Sequence, residues 1–388
     1  MPLETCQACG SGELDIFYET PPVPSSSCVL LNSYDEAVSF PTGVVRLGFC
    51  RRCGFIQNSA FDQSLVDYTL PYEETQGFSQ VFQGFARDLA RELIDRYDLR
   101  HKDLLEIGCG KGEFLASLCE MGPNRGIGID PSYVPDRSIG GGGDSVTFIR
   151  EFFGEEHVHL AGDFVFHRHT LEHISPVARF MDLTRRVAEN RKGTPVFVEV
   201  PDTRRVLTEC AFWDIYYEHC SYFTLGSLGR LLRSADFDVV DLGLGYNDQY
   251  LLAHARSGRG SPVLPIEDDL IDVSTQVDLF RETWPQVAER WRRRVEDDAD
   301  GRVVAWGAGS KAVAFLTTLG LEAQIPFAVD INPHKHGTFL PGSGTEVVPP
   351  SFLQDYQPGL VIAMNPIYEQ EIAAELARLD VPAQLVVV

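Results

Sequence analysis

Apolar and polar positions alternate along this chain with periods that define its elements. Phe78, Val81, Phe82, Phe85, Leu89, Leu93 and Tyr97 recur at i, i+3, i+4 and i+7 spacing, which predicts a helix with one buried face. Next, Leu104-Leu105-Glu106-Ile107 reads as a buried parallel strand, Gly108, Gly110 and Gly112 as a tight turn, and Glu113 onward as a helix start. Further strands are expected at 126–130, 146–150, 163–166 and 195–200, with a helix over 176–190 and a flexible loop at Gly140–Gly143. Runs at 239–242 and 249–254 close this part as an antiparallel hairpin.

A linker by composition follows, Arg256 to Pro262, then a charged helical bridge with Leu279, Phe280, Trp284, Val287, Trp291 and Val295 as its apolar positions. The last third restarts a strand, glycine turn, helix pattern at Val303–Ala312, with strands again at 327–333 and 359–365. These shifts divide the chain into residues 1–70, 71–256, 257–300 and 301–388. The fold class is α/β, a doubly wound sheet flanked by a small N-terminal unit and a second, Rossmann-like α/β unit at the C-terminus.

A chain of 388 residues suggests two to three domains, and 44% hydrophobic content supplies their cores. Fifty-six acids against 33 bases give a net charge of −23, which repels nucleic acid and anionic lipid surfaces. No apolar run spans a membrane and the first residues form no leader, so a cytoplasmic protein without membrane or nucleic-acid partners is expected, as monomer or small homo-oligomer.

The glycine turn is a nucleotide-type site. Its G-x-G-x-G spacing departs from the G-x-G-x-x-G of dinucleotide enzymes, and Glu106 places a carboxylate where an apolar strand residue is usual, which suits a cationic ligand. Asp130, at the end of the next strand, could accept hydrogen bonds from ribose hydroxyls, and the pair Phe152 and Phe153 could sandwich an adenine. On Glu106, Gly108, Gly110, Gly112 and Asp130 the chain resembles the class I S-adenosylmethionine-dependent methyltransferases.

Cys6-x-x-Cys9-Gly10 and Cys50-x-x-Cys53-Gly54 are two knuckles that together supply four thiolates, the set for a closed, structural Zn²⁺ site. Nine cysteines without a secretory context argue against a disulfide framework, and Cys28 has no partner of matching spacing.

The stretch Phe212 to Thr224 is rich in aromatic residues, yet Glu218 and His219 interrupt them. Buried polar groups among aromatics need partners and have displaced pKa values, so a general base is plausible here. His169-Thr170-Leu171-Glu172-His173 spells H-x-x-E-H, but it follows an apolar strand rather than lying in a helix, so His173 is read as lining a ligand crevice and a metal is not expected. In the last third, Ala312 stands where the third glycine of G-x-G-x-x-G would be and Lys311 enters the turn, which favours a diphosphate ligand over a dinucleotide.

Taken in order, the cysteine knuckles, the E-x-G-x-G-x-G turn, Tyr216 to His219 and the C-terminal pattern over Gly307–Lys311, Asp330–Gly337 and Pro341-Gly342 resemble the three-part sugar C-methyltransferases, along nearly the whole chain. The resemblance implies S-adenosyl-L-methionine and structural zinc as cofactors, and a nucleotide-linked keto-deoxysugar as small-molecule substrate. It implies that His219 is the base with Glu218 beside it, that Tyr216 positions the substrate, and that His173 and Tyr72 line the pocket. Lys311, Asn332 and Lys335 would hold the nucleotide. The rival readings are an O- or N-methyltransferase on another metabolite, and a zinc-bearing protein that binds the cofactor without turnover.

Overall fold

Asp103–Ile107, the strand before the glycine turn, lies at the centre of a seven-stranded sheet. In the computed structural model, which describes residues 4–12, 14–68, 70–73, 75–134, 145–298 and 302–388, the sheet order is Phe237–Gly245, Tyr250–Ser257, Pro195–Pro201, Phe164–Arg168, Asp103–Ile107, Arg125–Ile129 and Val146–Ile149. The last five run parallel and the first two form the expected antiparallel hairpin. Strands buried on both faces need continuous apolar runs, and Phe164, Val165, Phe166, Val196, Phe197 and Val198 are all fully inaccessible. The glycine run at 140–143 lies outside the described residues.

The helix before this sheet runs Gln80–Tyr97, capped by Ser79, whose hydroxyl accepts from the Phe82 N–H. Its C-terminal half buries Leu89, Ala90, Leu93 and Ile94, while Val81, expected on the buried face, is exposed. Phe82 and Phe85 instead meet Tyr246, with ring centroids 5.7 and 4.9 Å away.

The C-terminal unit is a five-stranded parallel sheet in the order Glu346–Val348, Phe327–Val329, Val303–Trp306, Leu360–Ala363, Gln384–Val387, with the Ser310–Leu319 helix leaving its central strand. Here too the expected Rossmann-like pattern is the one found.

The units share one interior. The N-terminal sheet consists of Asp15–Glu19, Arg46–Phe49, Ile56–Asn58 and Ser221–Tyr222, so its edge strand comes from the aromatic stretch of the middle third. The bridge is largely one helix, Leu270–Glu296. Its Phe280 packs edge-on against Phe17 and Tyr18 at 5.9 and 5.6 Å, and Trp291 meets Phe315 of the C-terminal unit at 5.4 Å. Leu279, expected to be buried, faces outward. Among the described residues no helix is long and apolar enough to cross a membrane.

Candidate active site

The glycine turn is set by backbone geometry first. Gly108, Gly110 and Gly112 all have positive φ, at 72°, 52° and 78°, a region that disfavours side chains. Space forbids a side chain as well at two of them: a Cβ on Gly108 would lie 2.2 Å from Thr170 Oγ1, and one on Gly112 would lie 2.3 Å from the Phe148 ring. At those two positions neighbouring side chains already account for the glycine. The Gly108 N–H donates to the Ile129 carbonyl at 2.7 Å, and the Gly110 N–H donates to Asp130 Oδ2 at 2.8 Å. Asp130 Oδ1 accepts from the N–H and hydroxyl of Ser132 at 2.7 and 2.6 Å. Asp130 thus stands at the strand end where the sequence puts it, tied to the turn it serves.

Glu106 is buried beneath the turn, and its Oε2 has no hydrogen-bond partner. Burial drives its pKa up to about 8, against the opposing pull of Arg168. A buried carboxyl with an orphaned oxygen is a receptor for a cation or a donor. Near it lies a charged set in which Arg168 and Glu199, absent from the sequence reading, join His169 and Glu172. Arg168 Nη2 sits 2.7 Å from Glu199 Oε1 and its guanidinium covers the Phe114 ring at 3.9 Å. His169 lies 2.9 Å from Glu199 and 3.4 Å from Glu172. Burial opposes the charge on His169, but the two carboxylates outweigh it and lift its pKa to about 9. His167 is an ordinary core residue, inaccessible, packed on Phe180 and pushed down to about 3 by burial.

The expected aromatic sandwich does not form from two neighbours. Phe152 is 58% exposed and faces Tyr68 at 6.3 Å, whereas Phe153 turns inward onto Phe180 at 5.6 Å. Successive residues of an extended segment point to opposite sides, so only Phe152 is placed at the rim.

The segment that touches the turn through Thr170, at 3.3 Å from the Gly108 carbonyl, leads on to His173, and His173 meets the cluster built by the aromatic stretch. The His219 ring lies 4.1 Å from the Tyr216 ring and 4.7 Å, nearly perpendicular, from the His173 ring. His219 is 6% exposed, and burial, with His173, His169 and Lys311 nearby, holds its pKa well below the ordinary value. His173 Nδ1 is 3.2 Å from both the Glu218 carbonyl oxygen and Tyr68 Oη. Because a carbonyl only accepts, the Glu218 contact assigns the proton to Nδ1 and leaves Nε2 as the acceptor. Tyr216 is half-buried, and desolvation pushes its phenol pKa far up, so it remains a neutral O–H.

The Glu218 carboxylate accepts from the Ser27 N–H, from the Ser27 hydroxyl at 3.1 Å and from Tyr72 Oη at 3.1 Å. The carboxyl is buried and its pKa is raised by that burial. Tyr72 touches the cluster through Glu218. Ser27 Oγ also lies 2.7 Å from Ser310 Oγ, and Cys28 Sγ lies 3.3 Å from the same Ser310 hydroxyl, so the N-terminal loop, the histidine segment and the C-terminal unit meet here.

The H-x-x-E-H segment turns through a short 3-10 helix at Leu171–His173, so His169 and His173 do not share an α-helical face. Glu172, His173 and His219 nevertheless bring one ligand-type atom each within 4.8 Å of one another.

The four cysteines converge. Cys6 and Cys53 sulfurs are 3.6 Å apart, Cys9 and Cys50 sulfurs 3.7 Å, and all four lie within 4.8 Å. A tetrahedron of sulfurs at about 2.3 Å from one ion has edges of about 3.8 Å, so these thiols fit zinc. The glycines act on the backbone, with Gly10 and Gly54 N–H donating to the Cys6 and Cys50 carbonyls at 2.8 Å rather than to sulfur.

Residues 79–242 match a methyltransferase domain family, and residues 274–387 match a C-methyltransferase C-terminal domain family. The chain is 28% identical over 402 residues to C-methyltransferase NovU of Streptomyces niveus, covering 96% of this chain and 91% of that protein. The chain is an S-adenosylmethionine-dependent methyltransferase. Two solved structures also match at a TM-score of 0.35. They are a Burkholderia thailandensis 1,6-didemethyltoxoflavin-N1-methyltransferase with bound S-adenosylhomocysteine (20% identity, 46% of this chain, 81% of that one) and the Synechocystis magnesium protoporphyrin IX methyltransferase (15%, 46% and 84%).

In this methyltransferase the C-terminal residues expected to hold phosphate are already engaged. Lys311 is ion-paired with Asp214, which also takes Arg205, and its pKa is lowered by burial. Lys335 lies 3.0 Å from the Ala308 carbonyl and 3.4 Å from Asp330, and Asn332 Nδ2 donates to Glu73 Oε1 at 3.0 Å. Lys311 is committed to the seam with the middle unit, because the helix it begins packs against the Phe212–Asp214 turn. Sequence reasoning missed Ser27, Tyr68, Glu73, Lys111, Arg168 and Glu199; in most of these cases the partner is tens of residues or more away and no local pattern marks it.

Proposed function

We propose that this methyltransferase acts on a carbon next to a ketone of a nucleotide-linked keto-deoxysugar, with His219 as the general base. The observation that carries the reading is the buried, neutral His219 facing Tyr216 and His173 beside the cofactor turn. A carbon acid needs a base that is unprotonated at neutral pH, and a histidine with a lowered pKa is one. His219 takes the proton, and the electron pair of the C–H bond moves into an enolate. Tyr216 O–H is the nearest neutral donor to stabilise that oxygen. S-adenosylmethionine, held by Glu106, the glycine turn and Asp130, supplies the electrophilic methyl group and leaves as S-adenosylhomocysteine. The imidazolium then returns its proton to water.

An acceptor reached from the N-terminal loop and the C-terminal unit together suits a two-ended substrate, sugar at His219 and nucleotide toward Asp330 and Lys335. We assign zinc to Cys6, Cys9, Cys50 and Cys53 as a structural ion, since all four positions are filled by protein and none is open to substrate. The test is incubation of the protein with S-adenosylmethionine and a panel of nucleotide-linked 4-keto-6-deoxysugars, read by mass and proton spectra. A new C–CH₃ group on one of them supports the reading; methylation on oxygen or nitrogen would replace it.

A further inference from the structure

Glu73 is 1% exposed and sits between two units. One carboxylate oxygen lies 3.1 Å from the Lys111 ammonium, inside the glycine turn, and the other accepts from Asn332 Nδ2 at 3.0 Å, at the end of the second strand of the C-terminal unit. Its neighbour Tyr72 donates to Glu218. Lys111 is itself 7% exposed, so this is a buried ion pair whose desolvation cost works against simple stability. Asn332 in turn is fixed by Asp330, whose Oδ1 accepts from the Asn332 N–H at 2.8 Å and whose Oδ2 accepts from the Ala308 N–H at 2.9 Å. An unbroken path of charge-assisted hydrogen bonds therefore runs Gly turn, Lys111, Glu73, Asn332, Asp330, second turn.

We propose that Glu73 is a positioning residue that couples the cofactor turn to the C-terminal unit, so that occupancy of the cofactor site orders the Asp330–Gly337 segment before substrate arrives. The physical basis is geometric. Ordering the turn around a ligand fixes Lys111, Lys111 fixes the Glu73 carboxylate, and a carboxylate held at one oxygen presents the other to Asn332 in one orientation. Tyr72, on the same strap, brings Glu218 under the same control. By reciprocity a ligand in the C-terminal unit would tighten the cofactor site by the same factor. This coupling stands whether or not the acceptor is a sugar.

The test is hydrogen exchange with S-adenosylhomocysteine as the probe, which needs no turnover and is independent of the methylation assay. In the unaltered protein the probe should slow exchange both in 108–113 and in 330–337. In Glu73→Gln and in Asn332→Ala the slowing at 108–113 should remain and that at 330–337 should be lost. Asn332→Ala leaves the ion pair intact, so it decides the question even if Glu73→Gln folds poorly. Absence of any slowing at 330–337 in the unaltered protein, or its persistence in Asn332→Ala, overturns the proposal.

Discussion

Asp130 and Asp330 close the same turn in two different sheets. Each stands at the end of the second strand, gives one oxygen to a backbone N–H of the preceding glycine turn (Gly110 at 2.8 Å, Ala308 at 2.9 Å) and the other to the N–H two residues on (Ser132 at 2.7 Å, Asn332 at 2.8 Å). The chain carries two glycine turns of one design with different surroundings: an orphaned carboxyl under the first, a buried lysine beside the second. Asp130→Asn should therefore weaken S-adenosylhomocysteine binding roughly tenfold or more, the loss of charge-assisted hydrogen bonds, as calorimetry would show. Asp330→Asn should leave that affinity within about twofold and instead raise KM for the acceptor.

Glu106 makes the first turn pH-sensitive. Its folded pKa is about 8, above the ordinary value of 4.5, so between these values the folded protein holds a proton that the unfolded chain has released. Its contribution to stability therefore falls as pH rises through that window. Glu106→Gln should raise the melting temperature of the ligand-free protein little at pH 5 and more at pH 8, while weakening cofactor binding. A difference that does not grow with pH would contradict the placement of this carboxyl.

Zinc removal should act through folding. Cys6 and Cys50 are buried, and the Cys53 carbonyl accepts from Arg230 Nε at 2.7 Å, so loss of the ion frees an edge of the core. Strong chelation, or Cys50→Ser, should lower the melting temperature and the yield of folded protein, with metal analysis showing about one zinc per chain lost.

Tyr72→Phe removes a donor to Glu218 while Ser27 remains bound. The expected result is a fall in kcat of roughly tenfold with little change in cofactor affinity, checked by steady-state kinetics alongside binding.

Much of this was legible in the sequence, for physical reasons. Glycines with positive φ, buried strands and paired cysteine knuckles are local devices, and the structure places them as read. The helix face at Phe78 to Tyr97 was legible only in its C-terminal half, because Val81 lies beyond the sheet that buries Leu89 and Leu93. Roles set by distant partners were not. Glu218 was read with His219 because they are adjacent, but the groups its carboxylate reaches, Ser27 and Tyr72, lie 191 and 146 residues away. Lys311 looked free beside a glycine turn until Asp214, 97 residues away, took its charge. The boundary at residue 70 divided a sheet whose fourth strand is Ser221–Tyr222.

The central claim, that His219 removes a proton from carbon, is tested most directly by solvent exchange. The protein is held in heavy water with the keto-sugar that it methylates and S-adenosylhomocysteine in place of the methyl donor, and deuterium at the carbon next to the ketone is followed by proton spectra. Wash-in by the unaltered protein that is lost in His219→Ala, with S-adenosylhomocysteine affinity unchanged, is the predicted result. Wash-in that survives in His219→Ala would contradict it and move the base to another residue of the cluster.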